Sequence, residues 1–283
     1  MTTFEPIPAE QLEALRREDC TSVYNVMKFA GLADPDAYSG PELRCLFPDL
    51  AMPIIGYAMT SAWTAGEVEA TSADFMDWID HMEVAPGPKI AVLADVGSRP
   101  GRGGIIGDGM LAEFAAFGCV GAVIGGSVMD IIPMEALGVP VWAAGVVPAY
   151  DQLRMASFAR PVEIGPLRIA DGDLLMADRG GVIRIPRSAV PVVIAGMSEF
   201  RALERSQSAI ARTPGLTAAQ LRAWYAANEP EALGESAGAA SLQASTHPAR
   251  LAGERNDPGA ASLQASTHPA RLAGERNDPP QEG

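Results

Sequence analysis

The chain has 283 residues, 48% of them apolar, enough for one large domain or two small ones with a sizeable core. A formal charge of −14 and a pI near 4.6 argue against a nucleic-acid partner held through its phosphates, a local arginine cluster aside. No apolar run reaches membrane-spanning length and the first residues lack the basic and apolar regions of a leader, so no membrane partner and a cytoplasmic location are expected.

In chain order, apolar spacing predicts helices over about Ala9 to Arg17 and Thr21 to Phe29, the second stopped by Gly31 and Asp34-Pro35. Ile54 to Thr60 reads as a strand, and Ser72 to Met82 as a helix that ends before the turn Pro86-Gly87-Pro88. The apolar run Lys89 to Val96 then feeds a glycine-rich loop ending at Gly107-Asp108-Gly109, where a short helix begins. Met110, Phe114 and Phe117 fall on one face of that helix as core, and Gly118 supplies its left-handed stop. A second apolar run, Cys119 to Ile124, ends at Gly125-Gly126 and delivers Asp130 just beyond the strand. Two carboxylates, Asp108 and Asp130, therefore stand at the ends of neighbouring elements. A short helix follows at Pro133 to Leu137, then a strand at Val139 to Ala144. Pro161 to Pro186 reads as short strands joined by turns at Ala170-Asp173 and Asp178-Gly181, and helices cover Val190 to Ala211 and Thr217 to Ala227. Strands and helices alternate through the middle, which places the chain in the mixed α/β class with a layered sheet core.

From Gly238 the composition changes. GAASLQASTHPARLAGERNDP at 238–258 recurs word for word at 259–279, so residues 230–283 read as a disordered low-complexity tail behind a 1–229 body. His247 and His268 lie in that tail and are not ligand candidates.

The scarce residue types narrow the chemistry. Cys20, Cys45 and Cys119 are odd in number and widely spaced, as free thiols are. Lys28 and Lys89 are the sole lysines, and His81 is the sole histidine outside the tail, a surface or packing residue by context. That leaves little for a Schiff base, a histidine zinc site or a serine triad. Carboxylates and arginines must carry any polar chemistry, and carboxylates suit Mg²⁺ or Mn²⁺. The loop before Asp108 brings backbone N–H groups close to a ligand at a helix start, a cradle for a small anion. An N-cap role for Asp108 is the plainer alternative. No Gly-Lys-Ser/Thr follows the loop, and the glycine order is not that of a dinucleotide site.

Taken together, Thr21 and Val23, Ile55-Gly56 with Ala58 and Thr60, Pro86-Gly87, Gly107-Asp108, Gly118, Gly121, Val123, Gly126, Val128 and Asp130 form an ordered pattern. It continues through Gly138, Pro140-Val141, Gly145, Gly172-Asp173 and Asp178 to Pro186. This pattern resembles the regulator of ribonuclease activity A-like (RraA-like) proteins. They include metal-dependent aldolases acting on 4-hydroxy-4-methyl-2-oxoglutarate and 4-carboxy-4-hydroxy-2-oxoadipate. The resemblance implies a layered β/β/α swivelling-domain-like fold with a C-terminal helical extension, assembled as a homotrimer or homohexamer with sites between subunits.

It also implies site roles. Asp130 falls on the family's metal-holding Asp, and Asp108 on the Asp that assists through a water. Gly107, Asp108, Gly109 and Met110 fall on the loop that offers N–H groups to a carboxylate. The family's arginine position holds Met129, which donates no hydrogen bond to a developing oxyanion, and Gly125 replaces a usual acid. Arg102 is the candidate to supply a guanidinium from another direction. Glu204, with Glu199 second, matches a Glu borrowed by a neighbouring subunit, and Asp178 matches a structural turn. The function so implied is a Mg²⁺- or Mn²⁺-dependent lyase that cleaves or decarboxylates a small 2-oxo or hydroxy di- or tricarboxylic acid. The alternatives are a metal-dependent hydrolase, hydratase or isomerase with a rebuilt pocket, and a non-catalytic regulator like the ribonuclease inhibitors.

Overall fold

The computed structural model describes residues 4–50, 53–65 and 73–228. The duplicated tail expected from sequence, and Ser72, lie outside them. The helices α1 (Ala9–Arg16) and α2 (Cys20–Phe29) open the body. The second starts one residue before the sequence expectation because the Asp19 carboxylate caps it, accepting from Ser22 N. After β1 (Arg44–Cys45), the long strand β2 (Ile54–Ala65) outruns the expected Thr60 by five residues. Helix α3 (Phe75–Val84), capped by Asp74, leads to β3 (Lys89–Asp95), then β4 (Gly104–Ile106), α4 (Asp108–Ala116) and β5 (Cys119–Val128). Next come α5 (Ile131–Ala136), β6 (Val141–Val146) and β7 (Leu153–Phe158). Two hairpins follow, β8 (Val162–Ile164) with β9 (Leu167–Ile169), and β10 (Leu174–Asp178) with β11 (Gly181–Ile185). Helices α6 (Val190–Ala211) and α7 (Ala218–Ala227) close the described body, and a reciprocal Thr217–Gln220 capping box opens α7.

Among the described residues a nine-stranded sheet runs β1-β6-β5-β3-β2-β10-β11, with β4 on β5 and β7 on β2. Its centre, β2-β3-β5-β6, is parallel, so these four strands end at one edge. Side chains alternate across it. On β3, Ile90, Val92 and Ala94 enter one core while Ala91 and Leu93 enter the other. The first of these cores is roofed by Val162, Ile164, Leu167 and Ile169 of the β8–β9 hairpin. The second takes Met27 of α2, Trp78 and Met82 of α3, Phe114 of α4 and Met197 of α6. The result is hairpin, sheet and helices, the expected β/β/α layering.

Two departures lie on the segment that builds the site. β5 passes straight through Gly125-Gly126 instead of ending there. Cβ atoms at these positions would meet Ile164 Cγ1 at 2.9 Å and Ile105 Cδ1 at 2.8 Å, so the glycines admit neighbours from both layers and do not stop the strand. The glycine-rich loop also contains strand β4, too short to show a period. On α4 the fully buried pair is Leu111 and Phe114, with Met110 and Phe117 partly buried beside them. Burial of a side chain such as Phe114 stabilises by about 1.5–3 kcal/mol, which fixes α4 and the loop it carries.

Candidate active site

The parallel strands β4 and β5 pair as Gly104 with Ser127 and Ile106 with Val128, and Met129 N donates to Ile106 O at 3.0 Å. The chain leaving β4 at Gly107 and the chain leaving β5 at Asp130 therefore emerge side by side at the carboxyl edge, where open α/β sheets bind ligands. Gly107 is the N-cap of α4 and Asp108 its first helical residue. No side chain caps this end. Asp108 therefore does not cap α4. The N–H groups of Asp108, Gly109 and Met110 have no acceptor among the described residues, so three donors face outward at a helix start.

Asp130 is held at φ 54°, ψ 40°, a left-handed conformation that costs a residue with a Cβ about 1 kcal/mol or more. It stands at the N-cap position of α5, yet its carboxylate makes no capping bond there. The carboxylate turns the other way: a Cβ added to Gly107 would collide with Asp130 Oδ2 and lie 3.2 Å from Met129 Cε. Neither the Asp108 nor the Asp130 carboxylate is hydrogen-bonded or ion-paired among the described residues. Strained backbone thus holds an unengaged carboxylate beside Gly107, the residue that begins α4.

The anionic ligand groups there are the carboxylates of Asp108 and Asp130. Among the described residues no group of three His, Cys, Asp or Glu could hold a metal. A cation at this edge would take two carboxylates at most and complete its shell with water and substrate, which suits Mg²⁺ or Mn²⁺ and not a closed zinc site.

The loop between β3 and β4 is tied down by residues that sequence reading passed over. Asp95, the last residue of β3, accepts from Gly97 N at 3.0 Å with one oxygen and from Gly101 N at 2.7 Å with the other. Ser127 Oγ donates to Gly101 O at 2.9 Å. An acid ending a strand just before glycines was the available signal. Arg102 rides on this loop, exposed, and its guanidinium has no partner among the described residues.

Other candidates lie elsewhere. Glu204 accepts from Arg201 at 2.9 Å, and the same guanidinium bonds Glu18 and Asp19, so Glu204 belongs to a cluster joining α6 to α1 and α2. Glu199 is exposed on α6. His81 is buried, with Nε2 2.9 Å from Asp171 Oδ2 while Asp171 Oδ1 accepts from Thr60 N, a packing role with a hydrogen-bonded partner. Asp178 holds Cys20 N and Gly180 N, which is the structural turn expected of it. Burial pushes the Cys20 thiol up and the Cys119 thiol to about 12, so neither serves as a nucleophile. Burial lowers Lys89, whose Nζ donates to Phe117 O at the far end of α4 from Asp108.

The RraA-like family model, described as Aldolase/RraA, matches residues 32–184, more than half of the chain and every residue of this site. The chain belongs to the RraA-like family. A Halalkalibacterium halodurans relative named "Putative 4-hydroxy-4-methyl-2-oxoglutarate aldolase" is 30% identical over 125 residues, 44% of this chain and 58% of that one. Legionella pneumophila Protein DlpA is 26% identical over 182 residues, 63% of this chain and 29% of its own. The chain therefore spans well under two thirds of the length of either curated relative. The Streptomyces coelicolor RraAS2 structure, titled an unusual member of the RNase ES inhibitor RraA family, aligns with a TM-score of 0.59. At 24% identity, over 72% of this chain and 98% of that one, it shows the RraA-like fold. The family so includes both aldolase-named and inhibitor-named proteins, and the choice between them rests on this chain's own site.

Proposed function

We propose that this protein is a divalent-metal-dependent lyase that cleaves or decarboxylates a small 2-oxo or hydroxy acid with two or three carboxylates. The observation that carries the reading is Asp130, strained, unengaged and turned toward Gly107 at the start of α4. Asp130 would hold Mg²⁺ or Mn²⁺ directly, with Asp108 assisting through water. A cation held there would supply Lewis acidity toward the substrate's 2-oxo group. The N–H groups of Asp108, Gly109 and Met110 take one substrate carboxylate and orient it, with Gly107 allowing the close approach. Asp108, free of other partners, holds and moves a proton by way of a water. A homotrimer or homohexamer would let a neighbouring subunit contribute a carboxylate such as Glu204, released from Arg201. The aldolase-named relative supports the lyase class. A regulator that only binds would gain nothing from keeping Asp130 in a costly conformation.

A second reading has its own observation. Met129 lies over the glycine backbone, its Cβ 3.0 Å from where a Gly104 Cβ would stand and its Cε 3.2 Å from the equivalent point on Gly107. It fills the mouth of the cradle with a thioether, which offers no donor to an oxyanion. In that reading the metal serves hydrolysis, hydration or isomerisation in a rebuilt pocket. The test assays wild type, Asp130→Ala and Met129→Arg with Mg²⁺ on 4-hydroxy-4-methyl-2-oxoglutarate and oxaloacetate. The lyase reading expects turnover lost in Asp130→Ala and raised by Met129→Arg, since one oxyanion donor is worth about 10²-fold. No turnover by either wild type or the Met129→Arg variant, with metal binding intact, would replace it with the second reading.

A further inference from the structure

The loop carrying Arg102 is fixed on both sides of it. Gly101, at φ +75°, is gripped from both sides, its N–H by Asp95 Oδ2 and its carbonyl by Ser127 Oγ. Arg102 N donates to Arg99 O at 3.1 Å, closing a turn. Gly103 sits so close to the next loop that a Cβ there would lie 2.6 Å from Asp151 N, and Gly104 N donates to Ala149 O. Arg99, three residues earlier, reaches Asp151 at 3.6 Å. Arg102 is left exposed, without a partner among the described residues, on a backbone that runs beside Ser127 and Met129, just before Asp130.

An arginine on a slack loop would lose much of a carboxylate contact to ordering entropy, and a pinned backbone removes the loop's share of that cost. A flat guanidinium also matches a carboxylate in two parallel hydrogen bonds. The site edge otherwise offers an anion its N–H groups and two acids. We infer that Arg102 is the specificity-determining residue that binds the distal carboxylate of a dianionic substrate, and that Asp95 and Ser127 are positioning residues that preset it. This rests on the acid-binding reading of the Asp130 edge and adds to it a substrate charge and a recognition element.

The test measures binding of 2-oxoglutarate, a dianion, and 2-oxobutyrate, a monoanion, by calorimetry at saturating Mg²⁺. Wild type should prefer 2-oxoglutarate by about tenfold or more, the range for a charge-assisted contact. Arg102→Ala should abolish that preference and leave 2-oxobutyrate unchanged. Asp95→Asn and, as the milder variant, Ser127→Ala should each weaken 2-oxoglutarate alone, and neither should weaken it further in the Arg102→Ala background. A preference that survives Arg102→Ala overturns the inference and leaves the acid site standing. Equal losses for both acids from Asp95→Asn and Ser127→Ala, with or without Arg102, overturn the positioning role. Failure of wild type to bind either acid would remove the acid site and Arg102's role with it.

Discussion

Gly107→Ala separates the site from the fold. Gly107 has φ −123° and ψ −166°, extended backbone open to any residue, so alanine strains nothing in the main chain. Its methyl would occupy the place now held by Asp130 Oδ2, and the exposed Asp130 side chain can swing aside. For the fold, alanine gains about 0.4–1 kcal/mol by restricting the unfolded chain and loses about as much as a poorer N-cap than glycine. The net is within about 1 kcal/mol, or roughly 4 °C for a body of this size. For the metal, a ligand oxygen driven off its place costs tenfold or more in affinity. Mg²⁺ at a hundred times Kd stabilises the wild type by about 2.7 kcal/mol, roughly 5–10 °C, and each tenfold rise in Kd removes about 1.4 kcal/mol of it. Thermal unfolding in EDTA and in Mg²⁺ reads both quantities. A Gly107→Ala protein that melts near wild type in EDTA but loses at least half of the Mg²⁺ increment fits the geometry. An undiminished increment would mean that Asp130 Oδ2 holds no metal.

Asp130→Gly should melt higher than Asp130→Ala by about 1 kcal/mol equivalent, because only the glycine adopts φ 54° without cost, while both lose the Mg²⁺ response; equal melting temperatures would deny the strain. Burial raises the Asp19 carboxyl, but hydrogen bonds from Arg201 and Ser22 outweigh it and hold the group below its usual 3.8. The unfolded chain therefore binds the proton more readily, so this stabilisation is present above about pH 3.8 and is lost as pH falls through the folded value. Arg201→Met should flatten that acid limb in urea unfolding at pH 2–5, and an unchanged limb would assign it to other carboxylates. Truncation after Pro230 should leave melting temperature and oligomeric state unchanged, since the duplicated sequence is too poor in large apolar residues to offset its ordering entropy; a drop in either by light scattering or calorimetry would show that the tail packs on the body.

The layers were legible because their signals are local: the apolar runs at Lys89 and Cys119, the Gly118 stop at φ +85° and the helix opening at Thr217 each appear where the sequence puts them. What stayed hidden depends on partners distant in sequence. Gly125-Gly126 reads as a strand end until Ile164 and Ile105 are seen to need the space. Asp19 outranks Thr21 in starting α2 because Arg201, over 180 residues away, also holds it. The β1 and β4 segments, of two and three residues, are shorter than any period. Asp108 and Asp130 were visible as acids at element ends, but which of them was strained was not, since left-handed backbone at an aspartate leaves no mark on composition.

The strain itself has a source in the neighbouring strand. Met129 N is committed to Ile106 O and Val147 N to Val128 O, so β5 stays locked between β4 and β6 until one residue before Asp130. Met134 N already donates to Asp130 O, in the helical register of α5. The chain must therefore turn from a paired strand into a helix within Asp130 alone, and φ 54° is how it does so. A glycine there would make the same turn more cheaply, and the fold has no other use for the carboxylate, which caps nothing and pairs with nothing among the described residues. Local rules are broken at this position without a structural return, whereas Gly107 and Gly104 nearby relieve contacts that a side chain would make worse and Gly101 takes φ +75° at no cost. Glycine is thus placed along the surrounding loop and withheld from the one position that most favours it, which is what selection for an oxygen ligand at residue 130 would produce.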